Sequence, residues 1–224
     1  MEKKAIAIDG PSGAGKSTLA RSLAAKLGYL YVDTGAIYRT VGLAAKRAGI
    51  ALDDTAPVIA LLPSLQIDLG YGEDGVQRMY LHGEDVSSDI REPEISMYAS
   101  AVSALPEVRA FLMEQQRSLA RTHCVIMDGR DIGTVVLPDA DLKIFLTASP
   151  EARAQRRWKE LQEKGIDDSL EKVLAEIIER DHNDTTRTAA PLRQAGDAVV
   201  VDTTKYDLEE SLALLLGLVK EKIG

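Results

Sequence analysis

The chain is poor in residues that staple small proteins or build cysteine metal sites: it has one cysteine, one tryptophan and two phenylalanines in 224 residues. A lone cysteine closes no intrachain bridge and completes no zinc site, and Cys124, in the apolar run Cys124-Val125-Ile126-Met127, reads as a small core residue. That usage suits a reducing compartment, so a cytoplasmic protein is expected. Basic charge is also in deficit. Lys+Arg number 27 against 35 Asp+Glu, a net charge of −8, which excludes a broad duplex-binding surface, and no nucleic-acid partner is expected. Long apolar runs are missing as well: after Met1-Glu2-Lys3-Lys4 only Ala5–Ile8 precede Asp9, too short for a signal-peptide core, and no later run approaches a membrane span. No membrane partner is expected. His82, His123 and His182 show no metal-ligand spacing, so no metal site made wholly of protein is expected.

What is present can bury a sizeable core: 45% of residues are hydrophobic. Short β-branched runs alternate with stretches of helical period, which predicts an α/β fold with parallel strands joined by crossover helices. Strands are expected at Ala5–Asp9, Tyr29–Asp33, Cys124–Asp128, Leu142–Thr147 and Ala198–Asp202. Four of them end in aspartate, at the carboxyl edge where such sheets carry ligand groups. Helices are expected at Lys16–Leu27, Ala36–Ala48, Pro106–Arg121, Pro150–Lys164, Leu170–Arg187 and Leu208–Ile223, packed on both sheet faces. Between Ser64 and Ser88, alternating runs around Gly70–Gly75 and His82-Gly83-Glu84 predict a small antiparallel hairpin or meander inserted into this rhythm.

Gly10-Pro11-Ser12-Gly13-Ala14-Gly15-Lys16-Ser17 matches G-x-x-x-x-G-K-[ST] between an apolar strand and an amphipathic helix. Glycines there let backbone N–H groups turn inward around phosphate, and the helix N-terminus adds positive potential. Lys16 reaches the terminal phosphates, and the Ser17 hydroxyl can ligate Mg²⁺ bound with ATP; Thr18 completes the ATP-binding stretch. Arginines recur where loops should follow strands, at Arg39 and Arg130, and again as Arg153, Arg156 and Arg157 on one helical face and as Arg180 and Arg187. Arginine binds phosphate bidentately and stays charged, so this concentration in an acidic chain implies two phosphate-bearing substrates. For any single helix arginine, a solvated face with an i,i+4 partner such as Glu160 is the competing reading. Asp131 could equally be an ion pair that holds Arg130, and Asp184 a helix cap.

With Gly10–Ser17, Asp33-Thr34-Gly35-Ala36-Ile37-Tyr38-Arg39, Asp128-Gly129-Arg130-Asp131-Ile132-Gly133-Thr134 and Arg180…Asp184…Arg187 in this order, the chain resembles the bacterial cytidylate kinases from end to end. The resemblance implies a single P-loop kinase domain, with a three-layer core at about 1–62 and 102–224, a five-stranded parallel sheet, a nucleotide-side insertion at about 63–101 and a lid at about 150–187. It implies transfer of the γ-phosphoryl group of ATP to CMP or dCMP by a monomer. Arg39, Arg130 and Arg187 would meet the CMP phosphate, Arg180 and Asp184 the sugar, and Thr34, Ser100, Arg109 and Asp131 the cytosine. Arg156 and Arg157 would be the lid arginines over ATP, so Lys16, Arg130, Asp131, Arg156, Arg157 and Arg187 form the expected catalytic set. Thr34 stands where some members have serine, and Ser17 where some have glycine. Two other readings remain open: a kinase of the same fold acting on another small acceptor, and a P-loop switch that hydrolyses its nucleotide to control a partner.

Overall fold

The structure is a computed structural model that describes residues 3–224. In chain order its elements are β1 (Ala5–Asp9), α1 (Lys16–Leu27), β2 (Leu30–Asp33), α2 (Thr34–Arg47), α3 (Thr55–Leu61), β3 (Ile67–Tyr71), β4 (Gln77–Leu81), β5 (Glu84–Asp85), α4 (Pro93–Ser103), α5 (Pro106–Thr122), β6 (Val125–Gly129), β7 (Leu142–Thr147), α6 (Pro150–Glu163), α7 (Leu170–Thr186), β8 (Val199–Asp202) and α8 (Leu208–Ile223). Two compact units result: the chain up to Tyr31 together with Thr122–Gly224, and Val32–Arg121.

The expected five-stranded parallel sheet runs in the order β2-β6-β1-β7-β8, with β6, β1, β7 and β8 wholly in the first unit. In the central register Ile8 of β1 lies beside Asp128 of β6 and Ile144 of β7, so the carboxyl ends of these strands and the loops that follow them share one edge. Alternation along the strands sends Ile6, Ile8, Ile126, Ile144 and Leu146 to one face, where Leu19 and Leu23 of α1 and Leu215 and Val219 of α8 bury them. Helices α6 and α7 pack on each other through Ala154, Leu161, Val173 and Ile177, with Trp158 closing that small core. The helix starts show how the chain prepares this edge. Side chains of Ser149, Ser169 and Asp207 accept the backbone N–H groups of Ala152, Lys172 and Glu210 in the first turns of α6, α7 and α8, whereas α1 follows Gly15 with no side-chain cap and no acidic residue in its first turn. Its leading N–H groups therefore stay available to an anion.

The second unit holds the expected antiparallel insertion as a three-stranded sheet, β3-β4-β5. His82 and Gly83, with φ of 53° and 81°, form its two-residue turn between the paired Leu81 and Glu84. Two helices, α3 and α4, were not expected from the sequence. Helix α2 begins two residues earlier than expected because the Asp33 carboxylate accepts the Ala36 N–H at 2.9 Å, capping it. No helix among the described residues is long and apolar enough to cross a membrane.

Candidate active site

The phosphate loop leaves β1 at Gly10, where a Cβ would stand 1.9 Å from the Leu146 carbonyl oxygen. Only glycine lets the loop lie this close to β7. Gly13 and Gly15 have φ of 75° and 85°, which turns successive peptide planes as a nest requires. Lys16 is the first residue of α1 and 5% exposed. Its ammonium donates to the Pro11 carbonyl at 2.7 Å, folding the side chain back along the loop. Burial holds the Lys16 pKa well below the ordinary lysine value, and the charge of Arg130 acts in the same direction. The Ser17 hydroxyl donates to Asp128 Oδ2 at 2.8 Å, and the Tyr31 hydroxyl donates to Asp128 Oδ1 at 2.9 Å.

Behind the loop, Asp9 accepts the backbone N–H groups of Ile132 and Gly133, both at 2.7 Å. These hydrogen bonds fix the five-residue π turn Ile132–Val136 that follows Asp131. Burial pushes the Asp9 carboxyl up to about 6, against the lowering effect of the two N–H bonds and with a contribution from Asp131.

Of the sequence-predicted acceptor residues, the first unit gathers Arg130, Asp131, Arg180, Asp184 and Arg187. Arg130 Nε donates to Asp184 Oδ2 at 2.6 Å, and Arg187 stands 3.8 Å from Asp131 while its Nε donates to the Ala190 carbonyl at 2.8 Å. Asp131 thus lies within ion-pair distance of Arg187, and the Asp184 side chain holds Arg130. Burial alone would raise the Asp184 carboxyl, but Arg130, Arg180 and Arg187 outweigh it and hold the pKa below the ordinary value. Lys16 feels Arg130, Asp128, Asp184 and Arg180, so the phosphate-loop lysine shares one electrostatic cluster with these two arginines and two carboxylates.

The three arginines on one face of α6 have separate tasks. Arg153, 2% exposed, binds carbonyls and Asp181, so a solvated face is not its environment. Arg156 donates to the carbonyls of Thr203 and Tyr206 at 2.5 and 3.4 Å. Arg157 is exposed and pairs with Glu160 at 3.1 Å.

The second unit places Thr34 in the first turn of α2, buried. A Cβ on Gly35 would lie 3.4 Å from Arg39 Nη1 and 3.1 Å from Asp33 Oδ1, so Arg39 folds back over the helix start. Gln77 of β4 accepts the Asp33 N–H at 2.8 Å and donates to the Asp33 carbonyl at 3.2 Å. Arg91 donates to Asp33 Oδ2 at 3.0 Å. This reciprocal amide pairing ties the small sheet to the start of α2. Arg109 is buried on α5, its guanidinium 5.6 Å from the Tyr38 ring centroid and one nitrogen on the Ser103 carbonyl at 3.3 Å. Ser100, on α4, accepts the Ser103 hydroxyl with its carbonyl at 2.9 Å. The sequence reading missed Gln77, Arg91 and Asp181, named Arg153 only as one of the α6 arginines, and gave Asp9 and Asp128 no role; the recurrent strand-terminal aspartates were the available signal for the last two.

An uncapped helix N-terminus, a nest of backbone N–H groups and a buried loop lysine beside an arginine cluster define a P-loop phosphotransferase. The cytidylate kinase family model matches residues 6–221. A protein of Caldicellulosiruptor bescii named "Cytidylate kinase" is 52% identical over 218 residues, covering 97% of this chain and 96% of its own length. One of Caldicellulosiruptor saccharolyticus with the same name is 50% identical over 224 residues, covering 100% and 99%. A solved Eubacterium ventriosum structure matches at TM-score 0.54 and 11% identity, over 97% of this chain and 99% of that one, a likeness of fold alone. The chain belongs to the cytidylate kinase family.

Proposed function

We infer that this protein transfers the γ-phosphoryl group of ATP to CMP or dCMP, giving ADP and CDP or dCDP. The observation that carries this reading is the placement of Lys16 in the same electrostatic cluster as Arg130 and Arg180, beside Asp184 and Asp128. A nucleotide hydrolase needs one phosphate site. Arginines added around the loop lysine supply charge for a second phosphorylated species, whose repulsion from the first must be neutralised before transfer.

In this mechanism Gly10–Thr18 bind the ATP phosphates, and Lys16 with Arg130 and Arg187 spread the charge that develops as the phosphoryl group moves. The acceptor phosphate oxygen is already ionised, so no general base is assigned. Arg39 joins Arg130 and Arg187 in the assignment to the acceptor phosphate, Arg180 and Asp184 are assigned to its sugar, and Thr34, Ser100, Arg109 and Asp131 to its base. Arg156 and Arg157 serve as lid arginines only after leaving their present partners. The exposed Arg157–Glu160 pair is worth about 0.5 kcal/mol and releases readily. Closure of 150–187 would exclude water and so favour transfer over hydrolysis.

Ser17 and Asp128 offer adjacent hard oxygen donors at the helix start, and no group of three His, Cys, Asp or Glu among the described residues could cage a metal alone. Such a set fits a cation that completes its shell with phosphate and water. Ser17, with Asp128 behind it, would hold Mg²⁺ with ATP, and that ion supplies neutralising charge to the phosphate oxygens. A cytoplasmic monomer is the form proposed. A coupled ADP-release assay with ATP and each nucleoside monophosphate tests the reading: turnover with CMP and dCMP is expected, and ATP hydrolysis indifferent to any acceptor would overturn it.

A further inference from the structure

Arg153 is the most deeply buried arginine in the first unit, and every nitrogen of its guanidinium is committed. Nε donates to the Ala148 carbonyl at 2.9 Å; Nη1 donates to the Ser12 carbonyl at 2.9 Å and to Asp181 Oδ1 at 3.0 Å; Nη2 donates to Asp181 Oδ2 at 2.6 Å. Its stem is packed against the loop as well, with Cβ 3.3 Å from the position a Gly13 Cβ would take.

A peptide unit points its C=O and its N–H in opposite directions. The nest works only if N–H groups face the phosphates, so the carbonyls of the same peptides must face away and find partners. At the Ser12–Gly13 peptide that outward carbonyl is held by a buried cation. Gly13 has a left-handed φ and no side chain, so nothing in the residue itself prevents the peptide from rotating. Asp181, on the next helix, clamps the guanidinium bidentately and fixes its plane. It lies next to Arg180 and one turn before Asp184 on α7.

We propose that Arg153 is a positioning residue: by gripping the Ser12 carbonyl it aims the Gly13 N–H into the phosphate nest, and through Asp181 it ties that loop to the helix that carries Arg180 and Asp184. The proposal rests on the phosphoryl-transfer reading only in taking the loop as the ATP phosphate site. It gives Arg153 no contact with either substrate.

The test is isothermal titration of the full-length protein with ATP in the absence of any acceptor, so a wrong acceptor assignment leaves the result intact. Arg153→Lys keeps the charge and most of the stem but cannot bridge Ser12, Ala148 and Asp181 together, while Arg153→Met removes the charge. ATP affinity should weaken about tenfold in Arg153→Lys, the worth of one charge-assisted hydrogen bond, and further in Arg153→Met. Asp181→Asn leaves the guanidinium on Ser12 and should weaken ATP by about threefold, half to a third of that free energy. In steady state KM for ATP should rise in the Lys variant while KM for CMP stays within about twofold. Should Arg153→Met fail to fold, Arg153→Lys decides alone. A folded Arg153→Lys with parental ATP affinity and a lowered Tm would overturn the proposal and leave Arg153 a core strut.

Discussion

Replacing Arg130 by methionine should separate its pairing with Asp184 from its proposed role at the acceptor phosphate. Arg130 is mostly buried, and its partner Asp184 more so, with side-chain exposures of 18% and 9%. Removing one member of such a pair costs about 3–5 kcal/mol, because the other charge is left in a poorly solvated site. Arg180 and Arg187 still act on Asp184, which places the expected loss near the lower bound, about 3 kcal/mol at neutral pH. The pH dependence identifies the cause. In the parent the Asp184 pKa is depressed, so the pair contributes stability above the unfolded value of 3.8 that is lost as pH falls further. In Arg130→Met the largest depressing influence is gone and burial turns the ionised carboxylate into a cost, one relieved by protonation as the pH falls. Denaturant unfolding of both proteins at about pH 7.5 and about pH 4.5 should show the deficit shrinking to about 1 kcal/mol at the lower pH, the worth of an ordinary hydrogen bond. A deficit equal at both pH values would refute the account of Asp184. At neutral pH the same variant should lose transfer to CMP far more than affinity for ATP, since Arg130 is assigned to the acceptor phosphate; collapse of ATP affinity with CMP affinity intact would refute that assignment.

Lys16→Ala should lower turnover by about 10²-fold or more, the effect of deleting one preorganised charge-stabilising donor, while the circular dichroism spectrum stays native; near-parental turnover would remove Lys16 from the mechanism. Asp9 behaves oppositely to Asp184: its folded pKa is raised from 3.8 to about 6, so the stability it contributes is complete below the unfolded value and is lost as pH rises through about 6. The stability of the parent minus that of Asp9→Asn should therefore fall by about 2 kcal/mol between pH 4 and pH 7, and a difference independent of pH over that range would contradict the assignment.

How far the sequence could be read depended on whether a feature was local. The phosphate loop and the five parallel strands are contiguous patterns, and each appeared within a residue or two of its expected bounds. Helices α3 and α4 escaped because they are 7 and 11 residues long, with Pro57 and Pro93 in their first turns, and such segments carry too little periodicity to distinguish from loop. The strand-terminal aspartates were visible, but their tasks were not. Asp33 caps α2, Asp128 takes the hydroxyls of Ser17 and Tyr31, and Asp202 accepts the Thr204 N–H at 2.8 Å. Asp9 holds a turn more than 120 residues away in the chain. Pairings at long separation were the least legible. Nothing local distinguishes Arg130 with Asp184 from Arg130 with Asp131, or marks Arg153 as buried while Arg157, four residues on, faces water.

Cytosine recognition is tested most directly by the ratio of kcat/KM for CMP to that for UMP. Cytosine presents an exocyclic amino donor and an unprotonated ring nitrogen where uracil presents a carbonyl and a ring N–H, so donors and acceptors exchange places. Arg109 has its guanidinium 5.6 Å from the Tyr38 ring centroid and donates to the Ser103 carbonyl at 3.3 Å, and it is proposed, with Ser100 and Asp131, to read the base. Two opposed buried polar contacts, each costing about 1–3 kcal/mol, give a preference for CMP of roughly 10²- to 10⁴-fold. Arg109→Met should lower activity on CMP and shrink that preference. A parent that used CMP and UMP equally well would contradict the account.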